Sequence, residues 1–174
     1  MRKLLLLVLT ILIVPTLSFG ADSIKTGVVD GLKALNESEA GKKAKSDLES
    51  MRAAKQAVID EKGKVIEKLR SELEKQASVL SAEAKKNKEE ELERLIREYQ
   101  RLVQDSEAEF KKKRMELEDM ISKEIFEIVD KIGKEDGYML ILDRNAVLYS
   151  DKGIDITDTV IKKYNESKAK PKDQ

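Results

Sequence analysis

The chain of 174 residues has no cysteine, no histidine and no tryptophan, and it has only two prolines. Without cysteine there are no disulfide bonds, and without histidine as well the chain lacks the nitrogen and sulfur ligands of most transition-metal sites. The same two absences exclude Ser-His and Cys-His nucleophiles and redox dithiols. Carboxylates are abundant, but the pattern places them on solvated helix surfaces without an enclosed pocket. We therefore expect no enzyme activity and no cofactor.

Residues 1–20 have the pattern of a secretory signal peptide. They begin with the basic start Met1-Arg2-Lys3, continue with an apolar run over 4–14 that is too short to span a bilayer, and reach small residues at Ser18 and Gly20. An uncleaved membrane anchor is the alternative. We expect cleavage after Gly20, export of the chain, and no stable membrane insertion of the mature protein.

The stretch 42–132 has no proline and a single glycine, Gly63, and it predicts a long helical hairpin. Even half of this stretch as a helix would be about 65 Å long, which does not fit inside a globular domain of this size. In the first half, apolar residues follow helical spacing from Val58. In the second half they repeat every eleven positions, at Tyr99, Phe110, Ile121 and Ile132. Eleven residues make three turns, so these side chains predict a nearly straight interhelical seam.

The turn of this hairpin is weakly marked in the sequence. No glycine or proline follows Gly63 within the stretch, and Ser81 and Asn87 are the two candidate helix caps near the middle. We place the tip at 80–87. The seam is most apolar over 121–132 and is interrupted farther out by polar residues, which predicts a firm base and a loosely packed shaft.

Residues 21–41 and 133–166 flank the arm and predict a small β-rich body of about three strands. One strand is expected over 24–30, and a β-hairpin is expected over 138–149. The predicted fold class is therefore α+β, with a long antiparallel helical hairpin on a small β body.

Three short strands leave two open edges, and such edges aggregate unless they are paired. We therefore predict that strands from several copies close on one another in a cyclic homo-oligomer. The residues assigned to this contact are Val28, Val29, Leu140, Ile141, Leu142, Val147 and Leu148.

The C-terminal part of the chain predicts one more helix. Thr157 is the expected N-cap of a helix over 158–164. The polar residues 167–174 predict a disordered tail.

Several apolar residues of the arm do not fit the seam, namely Ile59, Val65, Val79, Leu95, Leu102, Met115 and Met120. One interpretation is that the seam is broad, or that neighbouring subunits touch there. The other is that these residues form a sparse apolar surface that holds non-native polypeptide, and the methionines favour adaptable contacts. Since single apolar residues are common on any protein surface, the sequence leaves both interpretations open.

The charge of the chain is balanced, with 34 basic and 34 acidic residues. The only basic run is Lys111-Lys112-Lys113-Arg114, and glutamates lie on both sides of it. A nucleic-acid site would need interleaved aromatic residues and a wider basic face. We therefore predict no nucleic-acid partner, and we leave contact with lipid headgroups open.

Motifs at both ends of the mature chain resemble the Skp/OmpH family of periplasmic chaperones. At the N-terminal end these are Gly27-Val28-Val29-Asp30, Leu35-Asn36-Glu37-Ser38 and Gly41-Lys42-Lys43-Ala44. At the C-terminal end they are the run 137–149 and Asp155-Ile156-Thr157-Asp158. The middle of the chain on its own would match any charged coiled coil.

The resemblance implies a homotrimer in which the strands form a small barrel and three helical arms surround a cavity. It also implies that the protein holds unfolded outer-membrane proteins in the periplasm, without ATP, before they insert into the membrane. The chain departs from the family pattern at Gly31, where a larger residue is usual, and in its balanced charge. The alternative function is a structural envelope spacer or adaptor with one fixed folded partner.

Overall fold

The computed structural model describes residues 24–169, so the predicted signal peptide lies outside the described residues. Two long antiparallel helices form an arm, and the segments on either side of it form a small body. The helices are α1 Gly31–Glu37, α2 Glu39–Gln76, α3 Ala82–Asp136 and α4 Thr157–Ala169, and the strands are β1 Thr26–Val29 and β2 Leu140–Asp143. Short 3-10 turns follow β2 at Arg144–Ala146 and Lys152–Ile154.

Local chemistry explains where the two long helices begin and end. Ser38 Oγ accepts a hydrogen bond from the Gly41 N–H at 3.1 Å, and Ser81 Oγ accepts one from the Ala84 N–H at 3.2 Å. Each serine satisfies an N–H group that the first turn of a helix leaves without a partner. Gly137 ends α3 with a φ of 70°, a conformation that glycine adopts readily. Of the two candidate caps near the middle of the arm, Ser81 is the one that the structure uses.

The arm reverses direction in the segment 77–81, between the end of α2 and the start of α3. This turn overlaps only the start of the predicted tip at 80–87. Asn87 is not a cap, because the Ser81 hydroxyl already caps α3 and Asn87 lies inside that helix.

The interhelical seam is most buried at the base of the arm, where Ile121, Ile125 and Ile132 are almost inaccessible to solvent. Farther out along α2 and α3, the buried residues in the described chain are Ile59, Ile66 and Ser106. The predicted firm base and loosely packed shaft are therefore confirmed.

The sheet has two strands within residues 24–169, and the predicted hairpin over 138–149 is wrong. β1 and β2 pair in parallel, with Val29 opposite Asp143. The arm serves as the long crossover connection that parallel neighbours require. After β2, the Asp143 carboxylate accepts a hydrogen bond from the Asn145 N–H at 2.8 Å and starts a 3-10 turn. The chain therefore does not reverse into a third strand.

The body has its own hydrophobic core at the base of the arm. α4 packs against α1 and α3, and the core comprises Val29, Ala34, Ile121, Ile125, Ile132, Ile156, Val160 and Tyr164. Because this core includes the base of α3, it fixes the arm to the body.

Thr157 is the first residue of α4 and not its N-cap as predicted. Its hydroxyl accepts a hydrogen bond from the Asp30 N–H at 2.9 Å and donates one to Asp155 Oδ1 at 2.6 Å. Thr157 therefore ties the end of β1 to the start of α4. The predicted disordered tail is wrong over 167–169, which continue α4, and 170–174 lie outside the described residues.

Candidate functional site

Two surfaces of the described chain expose large apolar side chains. The body surface comprises Ile24, Leu32, Phe126, Met139, Leu140, Leu142, Leu148 and Tyr149. The arm surface comprises Val58, Val65, Val79, Met115 and Met120. Clustered exposed apolar residues mark interaction sites, whereas single ones are ordinary on soluble proteins. Leu32, Phe126 and Leu142 of the body surface line one groove, whereas the arm residues are spread along the arm, so the two surfaces need different explanations.

A groove of about 470 Å³ crosses the body surface between α1, α3 and β2. Its apolar walls are formed by Leu32, Leu35, Phe126, Val129, Ile141 and Leu142. Polar groups are few, with Asn36, Glu118 and Asp143 among them. The groove can therefore bury hydrophobic side chains of a partner.

The residues predicted for oligomerisation divide into two groups. Those exposed or half-buried in the single chain are Leu140, Ile141, Leu142, Val147 and Leu148. Val28 and Val29 are buried within the single chain instead. Val147 has an extended backbone (φ −119°, ψ 119°) but pairs with no strand in the part of the chain that the structure describes. In the same part, β2 pairs with β1 alone, so its other edge is open.

The predicted client-contact residues do not share one face of the arm. Four of them are exposed, namely Val65, Val79, Met115 and Met120, while Leu95 and Leu102 are half-buried. Met115 and Met120 are five residues apart on α3, which places them roughly 140° apart around the helix. The structure therefore distributes these residues around the arm.

Ile59 does not belong to this set. It is 9% exposed and lies in the seam, whereas its neighbour Val58 is 53% exposed. Ile59 precedes the other buried residue of α2, Ile66, by seven positions, which is about two helical turns. A seam counted from Val58 therefore assigns the wrong one of two adjacent residues to the buried face. Ile59 is the seam residue, and Val58 belongs to the arm surface.

Phe126 is an exposed residue that the sequence pattern misses. It lies eleven residues after Met115 on α3, so the two side chains share a face of the helix. It also lines the groove together with Leu32 and Leu142. Its eleven-residue spacing from Met115 could have indicated that Phe126 lies outside the seam, because the adjacent Ile125 already occupies the seam.

Three ion pairs join α2 to α3 among the described residues. Their Nζ-to-Oε distances are 2.7 Å for Lys55–Glu109, 2.8 Å for Lys62–Glu98 and 3.5 Å for Lys88–Glu72. Arg94 also pairs with Glu98, from within α3. The hydrogen bond from Lys62 is the main cause that lowers the pKa of the Glu98 carboxyl group below its usual value.

A polar cluster fastens α4 to the base of α3. Tyr164 is 1% exposed, and its hydroxyl donates a hydrogen bond to Glu124 Oε2 at 2.5 Å. Lys168 pairs with the other oxygen of the same carboxylate. Burial, and then the Glu124 carboxylate, raise the pKa of the Tyr164 hydroxyl far above its usual value.

Residues 24–169 hold no cluster of three acidic side chains positioned to bind a metal ion. In that same range, no helix has both the length and the apolar character needed to cross a membrane. The geometry supplies apolar and charged surfaces that suit the binding of other polypeptides.

Known proteins share this architecture. The family described as outer membrane protein (OmpH-like) matches residues 25–164. An uncharacterised protein of Aquifex aeolicus (strain VF5) is 35% identical over 144 residues, which cover 83% of this chain and 88% of that protein. The crystal structure of a candidate OmpH-like outer membrane chaperone from Caulobacter crescentus CB15 is similar, with a TM-score of 0.78 at 17% identity. The similarity covers 82% of this chain and 85% of that one. The chain therefore belongs to the OmpH-like family.

Proposed function

We propose that this protein is an ATP-independent holding chaperone that binds unfolded outer-membrane proteins between helical arms in the periplasm. Membership of the OmpH-like family supports a chaperone role, and the signal-peptide pattern at 1–20 supports export. The observation that carries the proposal is the arm itself. Its long charged helices expose isolated apolar side chains such as Val65, Met115 and Met120.

The arm surface suits reversible binding of unfolded chains. Each half-exposed side chain can bury only part of its area against a client, which contributes about 1 kcal/mol or less. Many such contacts within one cage add up to a useful affinity, while each of them breaks quickly. Because charged residues separate the apolar ones, the client meets no second hydrophobic core that would trap it.

The cage needs several copies, and the proposed assembly is a homotrimer held together by the bodies. The groove of one subunit accepts apolar side chains, and the exposed Leu148 and Tyr149 of a neighbour supply them. The extended segment that begins at Val147 can pair with the open edge of β2 in the next copy. Such a head-to-tail contact uses two different surfaces of each chain, and it generates a ring where the rotation between successive copies closes.

The test is the aggregation of several unrelated β-barrel membrane proteins, diluted from denaturant with and without this protein and without nucleotide. We expect light scattering to be suppressed for all of them at near-equal molar amounts of oligomer and client. A spacer or adaptor would instead bind one folded envelope protein tightly and protect none of the unfolded ones. That outcome would contradict the chaperone function and support the structural spacer or adaptor instead.

A further inference from the structure

The outer arm, defined as 55–76 of α2 and 82–109 of α3, has few fully buried residues. Within these described residues, the buried ones are Ile59, Ile66 and Ser106. The base of the arm, by contrast, buries a row of isoleucines in the core of the body. Apolar residues such as Leu69, Leu92 and Val103 are half-buried there, so hydrophobic contact in the outer arm is partial and other contacts can contribute.

The three interhelical ion pairs provide these contacts. Lys55–Glu109 lies near the base, Lys62–Glu98 in the middle and Glu72–Lys88 near the tip, and their side chains are 29% to 55% exposed. Lys62 lies between Ile59 and Ile66 on the same face of α2, so a charged residue stands where an apolar one would continue the seam. Because the pairs are partly exposed, dissolved salt reaches all of them.

An open surface groove of about 370 Å³ lies beside the innermost pair, and Lys55, Ile59, Tyr99, Val103 and Phe110 are among its lining residues. Solvent and dissolved ions therefore reach this side of the arm.

We propose that the outer arm is a salt-sensitive clamp whose opening is controlled by these three Lys–Glu pairs. The screening length of exposed charges falls from about 10 Å at 0.1 M salt to about 3 Å at 1 M. Screening therefore weakens the pairs and lets the outer helices separate, while the apolar base stays closed. The clamp is a property of the arm alone and stands whether or not the protein binds unfolded clients.

The test is amide hydrogen exchange of the purified protein, measured by mass spectrometry at about 0.1 M and about 1 M NaCl. We expect exchange in the outer arm to be about fivefold faster at the higher salt, because three individually weak pairs act together. Peptides from 121–132 and from α4 should exchange equally at both concentrations. An outer arm that does not respond, or a base that responds equally, would overturn the proposal.

Neutral variants separate these pairs from general effects of salt. Lys55→Gln, Lys62→Gln and Glu72→Gln together should raise low-salt exchange to the high-salt value and remove the response. The control Glu93→Gln breaks a pair with Arg97 within α3 and should keep the full response. An undiminished response in the triple variant, or a lost response in the control, would contradict the clamp.

A charge exchange covers the case in which the triple variant loses its arm structure. Lys55→Glu alone should increase exchange in the outer arm, since it places two carboxylates together. Adding Glu109→Lys should restore protection, because the pair forms again with the opposite polarity. If the second substitution restores nothing, the ion pair is not the contact that holds the helices.

Discussion

At Gly41, the first turn of α2 passes so close to α1 that there is no room for a side chain. A Cβ atom on Gly41 would lie 1.7 Å from the carbonyl oxygen of Leu35. That oxygen belongs to the backbone, so it cannot swing aside. The Ser38 cap lies at the same corner and accepts its hydrogen bond from the Gly41 N–H. Glycine is therefore required where α1 meets α2.

Replacing Gly41 with alanine should lower the free energy of unfolding by about 2–4 kcal/mol. The added methyl group must push α1 away from the core of the body or open the Ser38 cap. Chemical denaturation followed by circular dichroism measures the change. A loss below about 0.5 kcal/mol would contradict the close approach of the two helices.

Gly63 provides the matched control in the same helix. A Cβ atom there would meet its nearest neighbour, Cε2 of Tyr99, at 3.7 Å, which is an ordinary contact. Since α2 continues through this position and alanine favours helix, Gly63→Ala should stabilise the arm by about 1 kcal/mol. The two glycine substitutions should thus have opposite signs.

Tyr164 leads to a prediction at high pH. Because its pKa is raised by burial and by Glu124, the hydroxyl stays protonated in the folded protein at about pH 10, where free tyrosine ionises. The unfolded chain releases this proton first. The contribution to stability is therefore complete below about pH 10 and is lost as the pH rises toward the pKa of the folded state.

The measurement compares tyrosinate absorbance of the native protein with that of Tyr164→Phe over an alkaline titration. While both proteins are folded, their difference should show no ionisation near pH 10. In denaturant the difference should show one ionisation at about pH 10. A midpoint near pH 10 in the native difference would mean that Tyr164 is not held in its protonated form.

Among the secondary-structure elements, the two helices of the arm are the part that local sequence pattern predicts. Its length, the caps at Ser38 and Ser81 and the firm base over 121–132 depend on residues close together in the chain. Local pattern alone does not decide which residue of α2 is buried in the seam. A shift of one residue, from Val58 to Ile59, rotates the buried face by about 100°. Only packing against α3 decides between the two.

The body was less predictable because its pairing is not local. The turn-forming residues Asp143-Arg144-Asn145 after an apolar run are typical of a hairpin. Nothing within 138–149 indicates that β1, at the other end of the arm, takes the edge of β2 instead. The groove was unpredictable for the same reason, because α1, α3 and β2 come from distant parts of the chain. Phe126 becomes part of the groove wall only when these elements pack together.

The arm surface gives a prediction about client binding. Replacing Val65, Met115 and Met120 with serine should weaken the binding of an unfolded β-barrel protein about tenfold to a hundredfold, since each side chain contributes about 0.5–1 kcal/mol. A fluorescence titration measures the affinity. The control Lys112→Ser changes a side chain that is 79% exposed on the same helix and should have little effect. Unchanged affinity in the triple variant would place client binding elsewhere.

In the whole molecule, the body surface and the arm surface differ in whether a partner subunit must cover them. The resemblance of the end motifs to the OmpH family is confirmed, and the solved relative shares the fold. A single chain leaves the groove, Leu148 and Tyr149 in contact with solvent. Assembly through the bodies would remove all three from water, whereas the arm surface has to stay accessible to act on a client.

Replacing Leu148 with aspartate should convert the assembly to monomers, because a carboxylate cannot enter the apolar groove without a partner. Leu142→Lys, inside the groove, should have the same effect. Sedimentation velocity measures the assembly state. Val79→Asp at the tip is the control, since Val79 is 79% exposed and Leu148 107% exposed. An intact oligomer in the Leu148 variant, or a dissociated one in the control, would rule out this docking.

The proposed function requires that the arms of one assembly enclose an unfolded client. The most direct measurement is the native mass of the protein alone and after mixing with one unfolded outer-membrane protein, without nucleotide. We predict a homotrimer that gains the mass of a single client chain. A protein that stays monomeric, or a trimer whose mass is unchanged by the client, would contradict the claim.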